Sequence, residues 1–71
     1  MCVASLKSIT LAMKAKRTLN KYNIRSEVIK LDPDMTPKGC AYGIEFDCLS
    51  LYSVTDVLNK SRINYSEIIN L

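Results

Sequence analysis

The alternation of two helical stripes with four short apolar segments is the feature that most limits how this chain can fold. Apolar residues recur at three- and four-residue spacing over residues 8–22 and again over residues 49–61, which is the period of an amphipathic helix. The apolar segments around these helices are short enough to be strands, and we place them at residues 2–6, 25–31, 41–46 and 65–71. The predicted order is therefore βαββαβ.

This order predicts a single ferredoxin-like α+β domain over residues 1–71, because 71 residues suffice for one small domain. Two right-handed crossovers would place both helices on one face of a four-stranded antiparallel sheet, a two-layer sandwich. Alternation along the third strand then places Ala41 and Gly43 on the open face, opposite Tyr42 and Ile44. Small side chains there would let a second subunit approach, so we expect a homodimer.

Composition and motif content exclude several classes of protein. No apolar stretch reaches the roughly 20 residues that span a bilayer, and Lys7 interrupts the apolar N-terminus, which also lacks a small-residue cleavage site. We therefore expect a cytoplasmic protein without a membrane segment. The odd number of cysteines, three, favours reduced thiols. The absence of histidine and of a CxxC pair argues against a metal site, a cofactor and an enzymatic Cys–His pair.

Positive charge is concentrated in the first part of the chain. Residues 1–26 carry six basic and no acidic residues, whereas the whole chain has a formal net charge of +3. The first helix therefore has a basic outer surface, which could attract nucleic acid or an acidic partner. A solvated helix face is the simpler interpretation, because lysine commonly occupies exposed helix positions. We do not expect nucleic acid to be a partner.

Two cysteines are candidates for chemistry. Residues 32–40 hold both prolines and one of the two glycines, so they form a long irregular loop that ends at Cys40. Cys40 is either an exposed thiol, whose thiolate form the nearby Lys38 would favour, or a small apolar residue packed at the start of a strand. Cys48 lies near the N-terminus of the second helix, where the helix dipole also stabilises a thiolate.

Cys2 falls within the first strand, and we expect it to be packed there. If the first and third strands were parallel neighbours, Cys2 and Cys40 would lie toward the same edge of the sheet. A resolving disulfide between these two residues is then a further hypothesis, which depends on a register that the sequence alone does not define.

Three stretches of the chain together resemble one known family. They are Ala12-Met13-Lys14-Ala15 with Leu19 and Ile24, then Thr36-Pro37-Lys38-Gly39-Cys40-Ala41-Tyr42-Gly43-Ile44-Glu45-Phe46, and finally Ile63-Asn64-Tyr65-Ser66-Glu67-Ile68-Ile69. On these residues the chain resembles the Se/S carrier protein-like family over nearly its whole length. It departs from the family pattern at Ala41, where many members have glycine, and at Asn23 and Arg62, which are also commonly glycine.

The resemblance implies a role for Cys40. That residue would hold sulfur or selenium as a persulfide or selenosulfide, taken from a cysteine-desulfurase-type donor and passed to an acceptor enzyme. Such a carrier needs no histidine base of its own, because exchange proceeds through a thiolate. Cys48 is the alternative carrying thiol. The loop around the site comprises Lys38, Gly39, Ala41 and Gly43. The alternative function is a non-enzymatic interaction or regulatory module that assembles through its open sheet face.

Overall fold

The computed structural model of the protein describes residues 1–32, 34, 36 and 39–70. Its strands are β1 (Cys2–Leu6), β2 (Glu27–Lys30), β3 (Tyr42–Phe46) and β4 (Ile68–Asn70), and its helices are α1 (Ile9–Lys21) and α2 (Leu51–Lys60). A single 3-10 turn, Cys48–Ser50, leads into α2. The predicted βαββαβ order is confirmed, although the last three strands are shorter than predicted. The predicted end of the last strand, Leu71, lies outside the described residues.

The four strands form one antiparallel sheet in the order β2-β3-β1-β4, as the ferredoxin-like arrangement requires. One continuous core lies between this sheet and both helices, which confirms that α1 and α2 share a face. Its fully buried residues are Ala4 and Leu6 of β1, Ile44 and Phe46 of β3, Ala12, Ala15 and Leu19 of α1, Val54 and Leu58 of α2, and Ile63 after α2. The predicted helical stripes therefore supply the core.

The two helices end in the same way. Asn23 and Arg62 both adopt left-handed backbone, with φ of 59° and 58°. The residue after each donates its N–H back to the helix. Ile24 donates to the Leu19 carbonyl at 3.0 Å, and Ile63 donates to the Leu58 carbonyl at 2.9 Å. In helix ends with this bonding pattern, the residue with left-handed backbone is most often glycine. Glycine would therefore fit at both positions.

Replacing Arg62 with glycine should stabilise the protein. The Arg62 side chain is exposed, and its backbone adopts a conformation that a Cβ atom disfavours. We expect Arg62→Gly to raise the free energy of unfolding by about 0.5–1 kcal/mol. The variant removes the energetic cost of left-handed backbone from the folded state, and this gain is larger than the entropic cost of a more flexible unfolded chain. Urea denaturation measures this. Arg17→Gly, within α1, is the control and should lower stability by about 1 kcal/mol; a loss on Arg62→Gly would contradict the explanation.

The sheet face away from the helices is partly filled by the chain itself. Val3 and Gly43 lie on this face, and both are buried. A Cβ atom added to Gly43 would lie 2.6 Å from Val3 Cγ1 and 3.0 Å from Leu31 Cδ1. The prediction that Gly43 leaves room for a second subunit is therefore wrong, because neighbouring side chains of the same protein occupy that space.

Candidate functional site

Strand pairing separates Cys2 from Cys40. In the antiparallel pairing of β1 with β3, Cys2 lies opposite Phe46, whereas Leu6 lies opposite Tyr42. Cys40 precedes Tyr42 by two residues, so it lies at the end of the sheet where β1 finishes, and Cys2 lies at the other end. The hypothesis of a resolving disulfide between Cys2 and Cys40 is wrong because β1 and β3 are antiparallel.

Cys2 instead forms a disulfide bond with Cys48. The chain turns immediately after β3, with the Asp47 carboxylate accepting the Leu49 N–H at 3.0 Å, and this turn brings Cys48 back beside β1. The Cα atoms of the two cysteines are 5.0 Å apart, within the usual range for a disulfide. The expectation that all three thiols are reduced is therefore wrong. Cys48 lies before α2, as predicted, but it carries no free thiol in this structure.

Cys40 is the free cysteine in the described part of the chain. The residue is only 4% exposed, so of the two interpretations the exposed loop thiol is wrong and the small residue packed at the start of a strand is confirmed. Hydrogen bonds hold its backbone and that of the next residue: the Thr36 hydroxyl donates to the Cys40 carbonyl at 3.1 Å, and the Leu31 N–H donates to the Ala41 carbonyl at 2.7 Å. The sulfur therefore lies in a fixed position beneath the surface.

Within the described part of the chain, the sulfur of Cys40 is hydrogen-bonded to the side chain of Ser66. Its thiol donates a hydrogen bond to the Ser66 hydroxyl, with Sγ and Oγ 3.3 Å apart. Ser66 lies just before β4, on a segment that pairs with Ser5 of β1 through backbone bonds of 2.8 and 2.9 Å. The Ser5 hydroxyl also accepts the Glu67 N–H at 3.1 Å. The sheet thus fixes the hydroxyl that contacts Cys40.

The other predicted loop residues have different positions. Gly39 is exposed and has a φ of 67°, and apart from its own chain neighbours no described residue has an atom within 4 Å of the place where a Cβ would lie. Its N–H donates to the Thr36 carbonyl at 3.0 Å, which closes a turn immediately before Cys40. Ala41 is half-buried, and Gly43 is buried under Val3 on the open face. Lys38, which was predicted to favour the thiolate, lies outside the described residues.

Sequence reasoning missed two residues at this site. Thr36 and Ser66 had no assigned role, although both lie in the stretches that carry the family resemblance. Ser66 is 26 positions from Cys40 along the chain, and only the antiparallel pairing of β1 with both β3 and β4 brings them together. The short sequence Tyr65-Ser66-Glu67 was the available signal, since a serine and an acid interrupt an otherwise apolar segment.

The described residues contain no group of three or more Cys, Asp or Glu placed to hold a metal ion. A surface cavity of about 420 Å³ is lined by residues that include Arg25, Ser26 and Asp47, at the end of the sheet opposite Cys40. Within the same part of the chain, neither helix has the length and apolar character that crossing a bilayer requires.

The candidate site is thus the buried thiol of Cys40 together with the hydrogen-bonded residues around it.

Comparison with known proteins gives one match. The profile of the family described as "Putative Se/S carrier protein-like" matches residues 1–70. No curated protein and no solved structure match the chain in the corresponding searches. The matched region includes β1 through β4, and with them Cys40 and Ser66.

Proposed function

The chain belongs to the Se/S carrier protein-like family, and on this premise we propose that it carries sulfur or selenium on Cys40 and passes it to an acceptor enzyme. The observation that carries this proposal is the state of the three cysteines. Cys2 and Cys48 are joined to each other, which leaves Cys40 as the thiol that can exchange. The protein would be a carrier that other enzymes load and unload, and it would need no cofactor of its own.

The loading step is a thiol exchange. A base on a cysteine-desulfurase-type donor takes the proton of the Cys40 thiol, and the resulting thiolate attacks the terminal sulfur of the donor's persulfide. A bond forms between Cys40 Sγ and that terminal sulfur, while the sulfur–sulfur bond of the donor breaks and the donor cysteine leaves as a thiolate with the bonding electrons. Cys40 then holds a persulfide, and no external oxidant or reductant is consumed. A selenium donor would give a selenosulfide by the same exchange.

Unloading reverses the roles of the two sulfurs. An acceptor nucleophile attacks the terminal sulfur of the Cys40 persulfide, and Cys40 leaves as a thiolate. Neither step requires a proton acceptor on the carrier, which fits a chain that contains no histidine. The donor and the acceptor enzyme are therefore the required partners, and they supply whatever proton transfer the acceptor needs.

Burial of the sulfur adds a condition to this proposal. Because Cys40 is 4% exposed, a donor cysteine on another protein reaches it only after the cover of the site has moved. Part of this cover is the irregular segment before β4 that includes Ser66. Hydrogen bonds to Ser5 hold this segment in place, so we expect the opening to come from another part of the cover. We expect Cys40 to become exposed only in the complex with the donor. Its burial in the free carrier would then protect the persulfide.

Intact mass spectrometry tests the proposal. The oxidised protein is incubated with a cysteine desulfurase and cysteine, and the mass is compared with that of a sample without desulfurase. We expect a gain of about 32 Da, the mass of one sulfur atom, that a thiol reductant removes. Selenium loading would add about 79 Da instead. An unchanged mass, with the desulfurase shown to be active, would refute the carrier function.

The alternative candidate is an interaction or regulatory module that assembles through the open sheet face. Ile29 of β2 lies opposite Gly43, and Ile69 of β4 lies opposite Val3, so both share this face. Both isoleucines are only partly buried. A second copy of the chain could cover them, as in a homodimer, and this use of the protein needs no reactive thiol.

Sedimentation velocity tests the homodimer. We expect a monomer–dimer equilibrium that shifts toward the dimer as protein concentration rises, because association removes the two isoleucine side chains from water. Ile29→Lys should abolish the dimer while the circular dichroism spectrum stays unchanged. A single monomeric species at the highest concentration examined would exclude assembly through this face.

A further inference from the structure

We propose that Ser66 is the positioning residue of Cys40: its hydroxyl holds the resting thiol and donates a hydrogen bond to the sulfur when the thiol ionises. This inference rests on the proposed function of Cys40 for its place in sulfur transfer. Its structural basis is the 3.3 Å contact between Cys40 Sγ and Ser66 Oγ.

The position of the Ser66 hydroxyl is set by the sheet. The Ser66 N–H donates to the Ser5 carbonyl at 2.8 Å, and the next residue is held by the Ser5 hydroxyl. Ser5 is fully buried within β1, the strand next to the one that Cys40 precedes. Ser66 Oγ and Cys40 Sγ are thus both fixed relative to β1, so their contact is a property of the fold.

The chemistry of the two groups allows the contact to survive ionisation. A serine hydroxyl both donates and accepts, and it rotates freely about its C–O bond. In the resting protein it accepts the S–H of Cys40. After the thiol loses its proton, the same hydroxyl turns and donates to the thiolate, and a hydrogen bond to a charged acceptor is stronger than one to a neutral acceptor.

Burial makes this donor important. Because Cys40 is buried, bulk water solvates the sulfur poorly while the site is closed. In the loading step, Sγ forms its bond to the donor's terminal sulfur and the donor thiolate leaves, while the Ser66 proton stays on its own oxygen. Ser66 therefore stabilises the thiolate and fixes the position of the sulfur, but none of its own bonds is formed or broken in the exchange.

Infrared spectroscopy of the S–H stretch reports this contact directly. The oxidised protein has one free thiol among its three cysteines, so the band belongs to Cys40. Hydrogen bonding lowers an S–H stretching frequency, and we expect the band to move to higher frequency in Ser66→Ala and to return in Ser66→Thr. Ser66→Thr and Ser66→Val form a matched pair of similar size that differs in the hydroxyl, and they replace Ser66→Ala if that variant fails to fold. Ser53→Ala is the control, since it removes an exposed serine hydroxyl from α2 that has no part in the contact with Cys40.

Alkylation and loading kinetics complete the test. At pH 7, iodoacetamide should modify Cys40 about tenfold more slowly in Ser66→Ala than in the wild type, with recovery in Ser66→Thr. Persulfide uptake from the desulfurase should slow to a similar degree. An unchanged S–H band, or alkylation as fast as in the wild type, would overturn the proposal. If the band and the alkylation rate respond as expected but the wild type gains no sulfur, the carrier function fails and the part of Ser66 in sulfur transfer fails with it.

Discussion

Reduction of the Cys2–Cys48 disulfide should lower the free energy of unfolding by about 4 kcal/mol. The two cysteines are 46 positions apart, so the bond restricts a long stretch of the unfolded chain, and loop-closure entropy gives a loss of this order. At about 0.05–0.15 kcal/mol per residue, 71 residues provide a total of about 4–11 kcal/mol, so the bond supplies a large share of the stability. We therefore expect the melting temperature to fall by on the order of 20 °C in a thiol reductant, measured by circular dichroism.

Two variants separate this effect from a general effect of the reductant. The double variant Cys2→Ala/Cys48→Ala should start at the lower stability and show no further response to reductant. Cys40→Ala should keep the full response, because Cys40 takes no part in the bond. Equal unfolding free energies for the wild type with and without reductant would show that the bond does not stabilise the native protein.

Replacing Cys40 with serine should reduce sulfur uptake to the background level. The exchange requires a sulfur nucleophile, and a serine hydroxyl does not ionise at neutral pH or form a persulfide. Because Cys40 is buried against Ser66, the change should also cost stability, by about 1 kcal/mol, which urea denaturation measures. Intact mass spectrometry after incubation with desulfurase and cysteine measures the uptake.

The cysteines at the other end of the sheet provide the matched control. The double variant Cys2→Ala/Cys48→Ala keeps Cys40 as its single thiol, and we expect it to gain one sulfur atom as the wild type does. This comparison is made at a temperature where the variant remains folded. Uptake by Cys40→Ser together with no uptake by the double variant would transfer the carrying role to Cys48.

The fold could be predicted because it depends on short-range periodicity. The spacing of Ala12, Ala15 and Leu19 defines the buried stripe of α1, and Ser8 marks its start, where its hydroxyl accepts the Leu11 N–H at 3.2 Å. These signals lie within a few residues of one another. The order of strands and helices then leaves few topologies that bury both helical stripes on one sheet.

The site depends on long-range register, which the sequence does not define. The direction of β3 relative to β1 decides whether Cys2 meets Cys40 or Cys48, and Cys48 is the partner because the two strands are antiparallel. The cover of Cys40 likewise comes from Ser66, far along the chain. Loop composition favoured an exposed thiol and residue type favoured a packed one, and tertiary packing decides for the packed one.

The site of the added sulfur is the most direct test of the carrier function. Wild-type protein is loaded by a cysteine desulfurase and cysteine, its persulfides are trapped by alkylation, and its peptides are sequenced by tandem mass spectrometry. We predict that the extra sulfur lies on the peptide that contains Cys40, while Cys2 and Cys48 are recovered as one disulfide-linked peptide pair. Extra sulfur on the Cys48 peptide, or no extra sulfur on any peptide, would contradict the proposal that Cys40 is the carrier.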